Sequence, residues 1–460
     1  MGKSFPTIFR KIVGEDFPIF FRMNGEDYLP GGFSVEDAIA TAPIIEGAGV
    51  DVISIGGGVG PMAQNPSLGN EKSFSYLIPP MYFPRGCRVE VGEKIKKLLK
   101  IPLSISGRIN DPVMACNIIN ERKADLIDLG RQMIADPYFP QKIADGRTDE
   151  ICQCIACNYC HGKRMRAFKQ IRCAINPLAG REAEVKDIKP SAAEEKVMII
   201  GGGIAGMQAA IWSKKRRHRV SLYEKANCLG GQALLAALPP HKEEIDHFRD
   251  FLVRQVEKLG VEVTLTCEVS PELIIQENPT AVIIATGGKQ IWPQNIPMDE
   301  KMKRLYAWDV LFGKEKYLGK KIVVLGGGFV AAEIADYICE KRLAEDVTIV
   351  EMREEIALDL EPISRQGLIE SLQNFGVKMI PHFFIEKVTA NEVIGQDMNS
   401  KDKKKIEADS VIIALGTEPV DFPIHAIQKR GIKIFCIGDA REPRGIAEAV
   451  REGYLAGISV

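Results

Sequence analysis

The sequence has no excess of charge of one sign and no long apolar segment. Lys and Arg number 60 against 61 Asp and Glu, so no field of one sign exists to attract nucleic acid or an anionic membrane. No run of about 18 apolar residues occurs, which argues against a transmembrane helix. The first residues lack the sustained apolar core of a signal peptide. We therefore expect a cytoplasmic protein that binds neither nucleic acid nor membrane.

Cysteine, by contrast, is concentrated in one place. The chain has 11 cysteines, and five of them lie between positions 152 and 173. Such a cluster favours metal ligation in a reducing compartment. Three closely spaced cysteines with a distant fourth are typical of an iron–sulfur cluster, which carries one electron at a time, whereas zinc is the simpler alternative. The four in the pattern C-x2-C-x2-C-x12-C are Cys154, Cys157, Cys160 and Cys173.

Residues 1–150 alternate short apolar runs with helical stretches. Strands are predicted at 17–24, 50–58, 101–109 and 124–132. Strand–helix alternation with chemically active residues at the strand ends predicts a parallel α/β sheet or barrel. Only four strand–helix units are visible, whereas a closed barrel of this type has eight. The segment is therefore predicted to be half of a (β/α)8 barrel.

A first glycine fingerprint begins directly after an apolar strand. Gly201, Gly203 and Gly206 form the pattern G-x-G-x-x-G, and Glu224 closes the next strand 23 residues after Gly201. The first glycine allows a tight turn, the second lets a pyrophosphate approach the backbone, and the third lets helix and strand pack closely. The glutamate accepts hydrogen bonds from ribose hydroxyls. With strand, helix and acid in register, this segment predicts a dinucleotide site.

A second fingerprint repeats the pattern. Gly326, Gly328 and Ala331 form G-x-G-x-x-A after another apolar strand, and Glu351 ends the following strand. Two such units imply two dinucleotides. A carboxylate at Glu351 should repel a 2′-phosphate, which favours NADH over NADPH, although Arg353 two residues later weakens that preference.

Three further apolar strands end in glycine motifs, at 281–288, 409–417 and 434–440. In this order, around two fingerprints, they resemble the flavoprotein reductases of the pyridine nucleotide–disulfide oxidoreductase superfamily. The resemblance implies FAD at the first fingerprint and the nicotinamide cofactor at the second. No C-x4-C pair follows the first fingerprint, so disulfide reduction is a poor candidate for the reaction. The further FAD contacts implied by the resemblance are Gly231, Gln232, Gly438 and Asp439.

The cysteine segment carries a narrower resemblance. Its flanks, CIACNYC and CAINPLAGRE, closely resemble the [4Fe–4S] segment of the 2,4-dienoyl-CoA reductase, 2-enoate reductase and trimethylamine dehydrogenase group. Stretches from PGGFSVEDAI to AEAVREGYLAG extend this resemblance over the whole chain. Members of the group begin with an old-yellow-enzyme-type (β/α)8 barrel that holds FMN. The residues that match FMN contacts are Arg22, Gly107, Arg108, Gly130 and Arg131.

Two departures from that group affect the expected chemistry. The first half of the family barrel, with a catalytic tyrosine and the residues that cover the flavin, has no counterpart in this sequence. We therefore expect FMN to bind weakly or not at all if the barrel is incomplete. Where dienoyl-CoA reductases carry a histidine, this chain has Gly58-Val59-Gly60. No catalytic residue is predicted.

The predicted α/β fold has four parts. The C-terminal half of a TIM-type barrel spans 1–150, and the [4Fe–4S] segment with a linker spans 151–190. Two Rossmann-like domains follow, one for FAD at 195–315 with 405–460 and one for NAD(P) at 316–404.

The resemblance implies an NAD(P)H-dependent iron–sulfur flavoprotein. Electrons would pass from NADH to FAD, the [4Fe–4S] cluster and FMN, and would reduce an activated C=C bond of an enoate or enoyl-CoA. An NADH diaphorase, that is, an electron-transfer subunit or a fragment without its own substrate site that passes electrons to a redox partner chain, stays open. So does a zinc-stapled nucleotide-binding scaffold without activity. Assembly as a homo-oligomer, or with a chain that supplies the missing half barrel, also stays open.

Overall fold

The computed structural model describes residues 5–59, 71–165, 168–184, 189–428 and 431–460. Gly60 and residues 185–188, part of the predicted linker, lie outside the described residues. The chain divides into two compact units between Asn158 and Tyr159, here called unit one and unit two. This boundary falls inside the predicted cysteine segment, and the finer division into four domains stays a prediction.

Unit one is an α/β assembly built around one parallel sheet. In chain order its elements are α1 (Phe5–Val13), β1 (Phe20–Asn24), α2 (Val35–Gly47), β2 (Val52–Gly56), α3 (Glu71–Leu77), α4 (Val89–Lys96), β3 (Leu103–Ile105), α5 (Pro112–Asn120), β4 (Leu126–Ile127), α6 (Arg131–Ala135) and α7 (Phe139–Ala144). The strands pair in the order β1-β2-β3-β4, all parallel. The four predicted strands are thus confirmed, and their carboxyl ends lie along one edge.

Local signals explain where the helices of unit one begin. Ser34 accepts a hydrogen bond from the Asp37 amide while the Asp37 carboxylate accepts from the Ser34 amide, a capping box at the start of α2. Asp111 caps α5 ahead of Pro112 in the first turn. The buried strand β2 is apolar on both faces apart from Ser54, as expected for a parallel sheet covered by helices.

Within its described residues, unit two contains two larger parallel sheets and two smaller antiparallel ones. In chain order its elements are β5 (Lys196–Ile200), α8 (Ile204–Lys215), β6 (Arg219–Tyr223), α9 (Ala233–Ala236), α10 (Glu243–Lys258), β7 (Glu262–Thr264), α11 (Pro271–Glu277), β8 (Ala281–Ile284), β9 (Gly288–Gln290), β10 (Lys303–Tyr306), α12 (Ala307–Asp309), β11 (Lys321–Leu325), α13 (Phe329–Glu340), β12 (Asp346–Val350), α14 (Pro362–Asn374), β13 (Lys378–Ile380), β14 (Phe383–Val388), β15 (Glu392–Asp397), β16 (Lys403–Glu407), β17 (Ser410–Ile413), β18 (Thr417–Pro419), β19 (Lys433–Cys436) and α15 (Ile446–Ser459).

The two parallel sheets have equivalent topologies. The first has the order β19-β8-β5-β6-β7 and the second β10-β17-β11-β12-β13. In each, the chain runs from the central strand, β5 or β11, to the strands on one side and later returns to pair on the other side of that central strand, as β8 or β17. The crevice at this reversal, outside the carboxyl ends of the strands, is where doubly wound sheets bind ligands. In both sheets the glycine fingerprint lies at that crevice.

The smaller elements complete unit two. Strands β14, β15 and β16 form an antiparallel meander, and β18 pairs with β9. Helix α15 packs closely on α8 at Gly453 and Gly457, where a side chain would overlap or crowd α8. Among the described residues, no helix combines the length and apolar character needed to cross a membrane.

Candidate functional site

The first glycine loop closes on the backbone of its own sheet. Gly201 has φ +107°, and a side chain there would overlap the carbonyl oxygen of Ala285, which follows β8. Gly206 lies in the first turn of α8, where a Cβ would overlap the carbonyl oxygen of Gly201. Both glycines are therefore required by close backbone contact, as the sequence pattern predicts.

Glu224 anchors this loop. Its carboxylate accepts hydrogen bonds from the Gly202 amide at 2.6 Å and from the Ala226 amide at 2.8 Å. The residue is buried at the end of β6. A buried carboxylate held by two backbone donors is oriented before any ligand arrives. Its remaining lone pairs are available to ribose hydroxyls.

The other residues assigned to this site come from distant segments. Gly231 faces Gly203, so a Cβ on Gly231 would lie 3.1 Å from the Gly203 Cα. No atom lies within 4 Å of a Cβ built on Gly203 itself, which leaves open space at the start of α8. The Gln232 amide donates to Asp439 Oδ2 at 3.0 Å. The first fingerprint, Gln232 and Asp439 therefore meet at one crevice.

The Gly438-Asp439 turn is held by an acid that the sequence did not single out. Glu452 of α15 accepts from the Gly438 amide at 2.7 Å and from Arg444 at 2.5 Å. Asp439 Oδ1 in turn accepts from the Arg444 amide at 3.1 Å. Glu452 thus fixes the position from which Asp439 faces the crevice.

The second glycine loop repeats the first in detail. Gly326 has φ +100°, and a Cβ there would lie 2.5 Å from the carbonyl oxygen of Ala414, after β17. The Glu351 carboxylate accepts from the Gly327 amide at 2.6 Å and from the Arg353 amide at 2.8 Å. The two loops therefore have the same anchoring of the turn and the same buried acid.

The start of the following helix differs between the two loops. In the second, Asp359 Oδ1 accepts from the Phe329 amide at 2.9 Å, at the first residue of α13. Arg353 Nε lies 3.3 Å from Glu351 Oε1, and Arg353 Nη2 lies 4.0 Å from Asp359 Oδ1. Because both contacts of the guanidinium are to carboxylates, Arg353 does not present an unshared positive charge to a 2′-phosphate.

A buried ion pair joins the two parallel sheets of unit two. The Lys242 ammonium, at the start of α10, contacts Glu333 of α13, and both side chains are at least nine-tenths buried. An ion pair removed from water in this way is costly to break, because either charge would be left in a medium of low polarity. It ties the nucleotide-binding helix of the second sheet to the first sheet's helical layer.

In unit one, a polar row crosses the sheet. Arg22, Ser54 and Ser104 lie in register on neighbouring strands. The two serine hydroxyls each donate to Asp128 at 2.5 Å, and Arg22 Nη1 lies 3.4 Å from the same carboxylate. The Arg22 side chain is 60% exposed. Asp128 thus orients the arginine that the sequence assigned to the flavin ring.

An arginine cluster lies at the carboxyl ends of the same strands. Arg108, buried and with φ +52°, donates to the Met81 carbonyl at 2.9 Å. A Cβ at Gly107 would lie 3.2 Å from the sulfur of Cys87. Burial raises the pKa of the Cys87 thiol, and the nearby guanidinium groups of Arg88 and Arg108 lower it in part. These positive charges at strand ends suit an anionic ligand.

Arg88 belongs to this cluster but was not predicted. It is buried, donates to the Gly57 carbonyl at 3.2 Å and to Ser106 Oγ at 3.3 Å, and its Nε has no hydrogen-bond partner in the described part of the chain. Desolvation lowers the pKa of the Arg88 guanidinium. The positive charge of Arg88 adds to those of Arg108 and Arg131 around Cys87, and such a concentration of positive charge suits an anionic ligand.

The cysteine segment begins on unit one and is pinned there by buried side chains. Gln132 donates to the Cys152 carbonyl at 3.0 Å and accepts from the Cys154 amide at 2.8 Å. Asn110 donates to the Cys154 carbonyl at 2.6 Å. Cys154 Sγ accepts from the Ala156 amide at 3.4 Å. These contacts fix the backbone at Cys152 and at Cys154, the first predicted ligand.

Arg131 connects the strand-end cluster to this segment. Its Nη1 donates to Asn158 Oδ1 at 2.5 Å, and Asn158 donates to the Ile78 carbonyl at 2.9 Å. Gly130, at the start of α6, has open space where a side chain would lie. The arginine assigned to a flavin phosphate is therefore also a support for the residue next to Cys157.

The four cysteines are divided between the units. Cys154 and Cys157 belong to unit one, whereas Cys160 and Cys173 belong to unit two. Within the described residues, no group of three or more His, Cys, Asp and Glu side chains that could hold a metal ion is found. Cys160 lies in a π-helical turn, Tyr159–Met165, whose Gly162 packs against Glu361 at the start of α14. The assignment of the quartet as metal ligands stays a prediction.

Comparison with known proteins agrees with this division of sites. Residues 195–440 match the pyridine nucleotide-disulphide oxidoreductase family, and residues 10–150 match the NADH:flavin oxidoreductase / NADH oxidase family. An NADH oxidase of Thermoanaerobacter brockii is 37% identical over 449 residues, which cover 97% of this chain and 67% of that protein. The chain belongs to the NADH:flavin oxidoreductases. Its larger part is a pyridine nucleotide-disulphide oxidoreductase module.

Two further relatives set the scope of the comparison. A cinnamate reductase of Clostridium sporogenes is 29% identical over 464 residues, covering 97% of this oxidoreductase and 66% of that protein. The structure of a 2-naphthoyl-CoA reductase in complex with 2-naphthoyl-CoA superposes with a TM-score of 0.89 at 28% identity, covering 99% of this chain and 67% of the other. The chain thus spans about two thirds of the length of these relatives.

The family assignment confirms the predicted class of enzyme and of fold. The oxidoreductase is a flavoprotein that uses a nicotinamide nucleotide, with an α/β module of barrel type followed by Rossmann-like sheets. The structure places the predicted glycines and strand-end acids of unit two at the two crevices, and their roles in binding cofactors stay predictions. The residues that sequence reasoning missed reach these places from other segments, and they are Arg88, Asp128, Asn158, Glu333, Asp359 and Glu452.

Proposed function

We propose that this oxidoreductase uses NADH to reduce the activated C=C bond of an enoate or enoyl-CoA. The overall reaction consumes NADH and a proton and converts the conjugated C=C bond to a saturated one, with release of NAD⁺. The main support for the proposal is the pair of matching dinucleotide crevices in unit two. The same chain has an arginine cluster at the carboxyl ends of the strands of unit one. One crevice suits a resident flavin and the other an exchanging nicotinamide.

The residues of the first crevice fit FAD. Gly201 and Gly206 let helix α8 begin close to the sheet, and the open space at Gly203 leaves room for a pyrophosphate. The anchored Glu224 carboxylate would accept from ribose hydroxyls. Asp439, held by Glu452 through the Gly438 turn, would meet the ribityl chain.

The residues of the second crevice fit NADH better than NADPH. Glu351 presents a buried carboxylate at the ribose position, where a 2′-phosphate would be repelled. Arg353 contacts two carboxylates, so its positive charge offsets the repulsion between Glu351 and a 2′-phosphate only in part. This arrangement favours the cofactor without the additional phosphate.

Unit one fits FMN through its charges. The positive charges of Arg88 and Arg108 would attract a phosphate to the strand ends, where Gly130 leaves open space. Arg22, oriented by Asp128, would contact the flavin ring. When bound, flavins exchange hydride with nicotinamide and single electrons with an iron–sulfur centre, which is why a reductase of this kind carries both.

The four cysteines fit a [4Fe–4S] cluster by their chemistry. Four thiolates match its usual ligand set, and the backbone amide of Ala156 already donates to Cys154 Sγ. Asn110 and Gln132 hold the backbone of this segment from both sides. The same residues tie Cys154 to the strand edge assigned to FMN.

The relatives support the substrate class. Two of them are named for the reduction of cinnamate and of 2-naphthoyl-CoA, both conjugated acyl compounds. A third is named as an NADH oxidase, which shares the donor half of the reaction. An enoate or enoyl-CoA acceptor is therefore proposed for this chain.

Flavin, iron and acid-labile sulfide analysis of anaerobically purified protein tests the cofactor set. We expect FAD and about four irons per chain, the iron content being that of a [4Fe–4S] centre, and less FMN than FAD because unit one supplies four of the eight strands of an FMN barrel. Colourless protein with zinc and no flavin would identify a nucleotide-binding scaffold instead.

Anaerobic NADH oxidation with cinnamate or crotonyl-CoA as acceptor tests the reaction. We expect acceptor-dependent oxidation and formation of the saturated product. Oxidation with an artificial electron acceptor but with neither enoate would identify a diaphorase and contradict the proposed substrate class.

A further inference from the structure

Asp359 and Gln232 occupy equivalent positions in the two dinucleotide units. Each lies eight residues after the strand-end acid of its unit, Glu224 or Glu351. The backbone agrees, because the Gly230 amide donates to the Gly202 carbonyl and the Ala357 amide donates to the Gly327 carbonyl. The position beside the nucleotide loop is therefore a neutral amide in the first unit and an acid in the second.

The acid lies where a dinucleotide pyrophosphate binds. Asp359 Oδ1 accepts from the Phe329 amide at 2.9 Å, and its Oδ2 is 3.2 Å from the position a Cβ of Gly328 would take. Helix α13 has 12 residues, so its N-terminus carries the positive end of a helix dipole. That dipole and these amides are what a pyrophosphate uses in a doubly wound fold.

Among the residues that the structure describes, the first unit has no carboxylate in this place. Gln232 donates its amide to Asp439 at 3.0 Å, and no carboxylate of the described residues lies within 4 Å of a Cβ built on Gly203. Space above Gly203 is open. The two nucleotide loops therefore differ in one respect at this place: a carboxylate of the protein covers the N-terminus of α13, and none in the described part of the chain covers the N-terminus of α8.

We propose that Asp359 is an internal competitor of the nicotinamide nucleotide. This inference rests on the proposed assignment of the second crevice to NADH. Two anions cannot share the Phe329 amide, so the pyrophosphate must displace the carboxylate before it binds. The displaced side chain is 42% exposed and lies 4.0 Å from Arg353, which can receive it.

The consequence is a weaker affinity for both redox forms of the cofactor. NADH and NAD⁺ have the same pyrophosphate, so Asp359 lowers the affinity for each by the same factor. Such competition would favour release of a cofactor that must leave after each turnover. It would have no benefit at the site of a flavin that stays bound. This explains physically why the acid is present in the second unit alone of the two.

Nucleotide titrations of flavin-loaded Asp359→Asn protein test the competition. We expect ADP, NAD⁺ and NADH to bind about threefold to tenfold more tightly than to the wild-type protein, as loss of one favourable helix-terminus interaction of a charge predicts. Adenosine, which has no phosphate, should bind equally to both. Asp359→Ala should show the same direction, since it also empties the helix start.

Glu354→Gln is the matched control. Glu354 is an exposed acid on the same loop, five residues before Asp359, and its replacement changes the net charge equally. Its ADP affinity should stay within twofold of the wild-type value. A general charge effect would instead tighten ADP binding in both variants and would overturn the inference.

The remaining outcomes are distinguishable. Weaker ADP binding in Asp359→Asn would show that the carboxylate contacts the nucleotide, and unchanged binding would show that it does not compete. Either result overturns the inference but leaves the second crevice assigned to NADH. Absence of ADP and NADH binding in wild-type and variant protein that retain FAD would contradict the proposed function itself.

Discussion

The two dinucleotide units of this oxidoreductase are built alike and differ at a few positions. Both have a parallel sheet with the same reversal of strand order, a positive-φ glycine against a neighbouring carbonyl, and a buried glutamate that accepts from the loop amide at 2.6 Å. These shared features hold the turn and the ribose acid. They are the part of the architecture that any dinucleotide requires.

The differences bear on the proposed assignment of a resident flavin to the first unit and of an exchanging nicotinamide to the second. Gly206 in the first unit corresponds to Ala331 in the second, and Gln208 corresponds to Glu333. In the first unit, Gly206 lets helix α8 lie against the carbonyl oxygen of Gly201. In the second unit, the acids Glu333 and Asp359 contact or belong to helix α13. We infer that close packing retains FAD and that charge adjusts the release of NAD(H).

Exchange of the third fingerprint residue should have the largest effect. Gly206→Ala would place a Cβ into the carbonyl oxygen of Gly201, a backbone clash that side-chain movement cannot relieve. We expect purified protein with little FAD, measured by absorbance of released flavin. The reciprocal Ala331→Gly change should retain FAD and cost only about 1 kcal/mol of helix stability. Equal flavin content in both variants would contradict the claim of a tighter first loop.

Much of this could be predicted from the sequence because the signals are local. The turn glycines Gly201 and Gly326 lie directly after apolar strands, and Glu224 and Glu351 end the next strands. Strand, turn, helix and acid occur within one continuous segment, so their spacing largely determines their geometry. The four strands of unit one were predictable for the same reason.

The rest could not be predicted because it depends on tertiary contacts. Asp359 and Glu452 reach the loops from segments that carry no motif. Asp128 follows β4, a strand of two residues, and its role appears only when the serines of β2 and β3 are placed beside it. Such side chains look like ordinary polar residues until the sheet order is known.

The buried ion pair should give the next largest effect. Glu333→Gln introduces the amide type found at Gln208 in the first unit but removes the carboxylate that faces Lys242 in the interior. We expect the free energy of unfolding to fall by about 3 kcal/mol, measured by chemical denaturation of flavin-loaded protein. Glu345→Gln breaks the exposed pair with Lys320 and should cost less than about 1 kcal/mol. Similar losses in the two variants would show that burial of the first pair has no energetic role.

Replacing the two ribose acids should separate the two cofactors. Glu351→Gln removes a charged acceptor at the second loop, so we expect the KM for NADH to rise about tenfold and the KM for NADPH to rise less. FAD content should not change. Glu224→Gln should lower FAD content and leave nucleotide affinity per remaining flavin unchanged. An equal rise of KM for NADH and NADPH in Glu351→Gln would contradict its ribose role.

The smallest effect should come from a buried acid of the second helix. Asp336 of α13 corresponds to the apolar Ile211 of α8. Burial raises the pKa of the Asp336 carboxyl above 3.8, and the charges of Glu340 and Glu333 raise it further. A hydrogen bond from Ser371 and the charge of His241 act in the opposite direction. The folded state therefore binds the proton more tightly than the unfolded state, so the contribution of Asp336 to stability falls as pH rises from about 3.8 through the raised pKa. Asp336→Asn keeps an acceptor for Ser371 without the buried charge. Its Tm should exceed the wild-type value by a small margin at pH 7, and that margin should shrink as the pH is lowered toward 4, because the wild-type carboxyl becomes neutral. A difference in Tm that grows on acidification would show that the ionised form of Asp336 stabilises the fold. That result would contradict the conclusion that its burial is unfavourable.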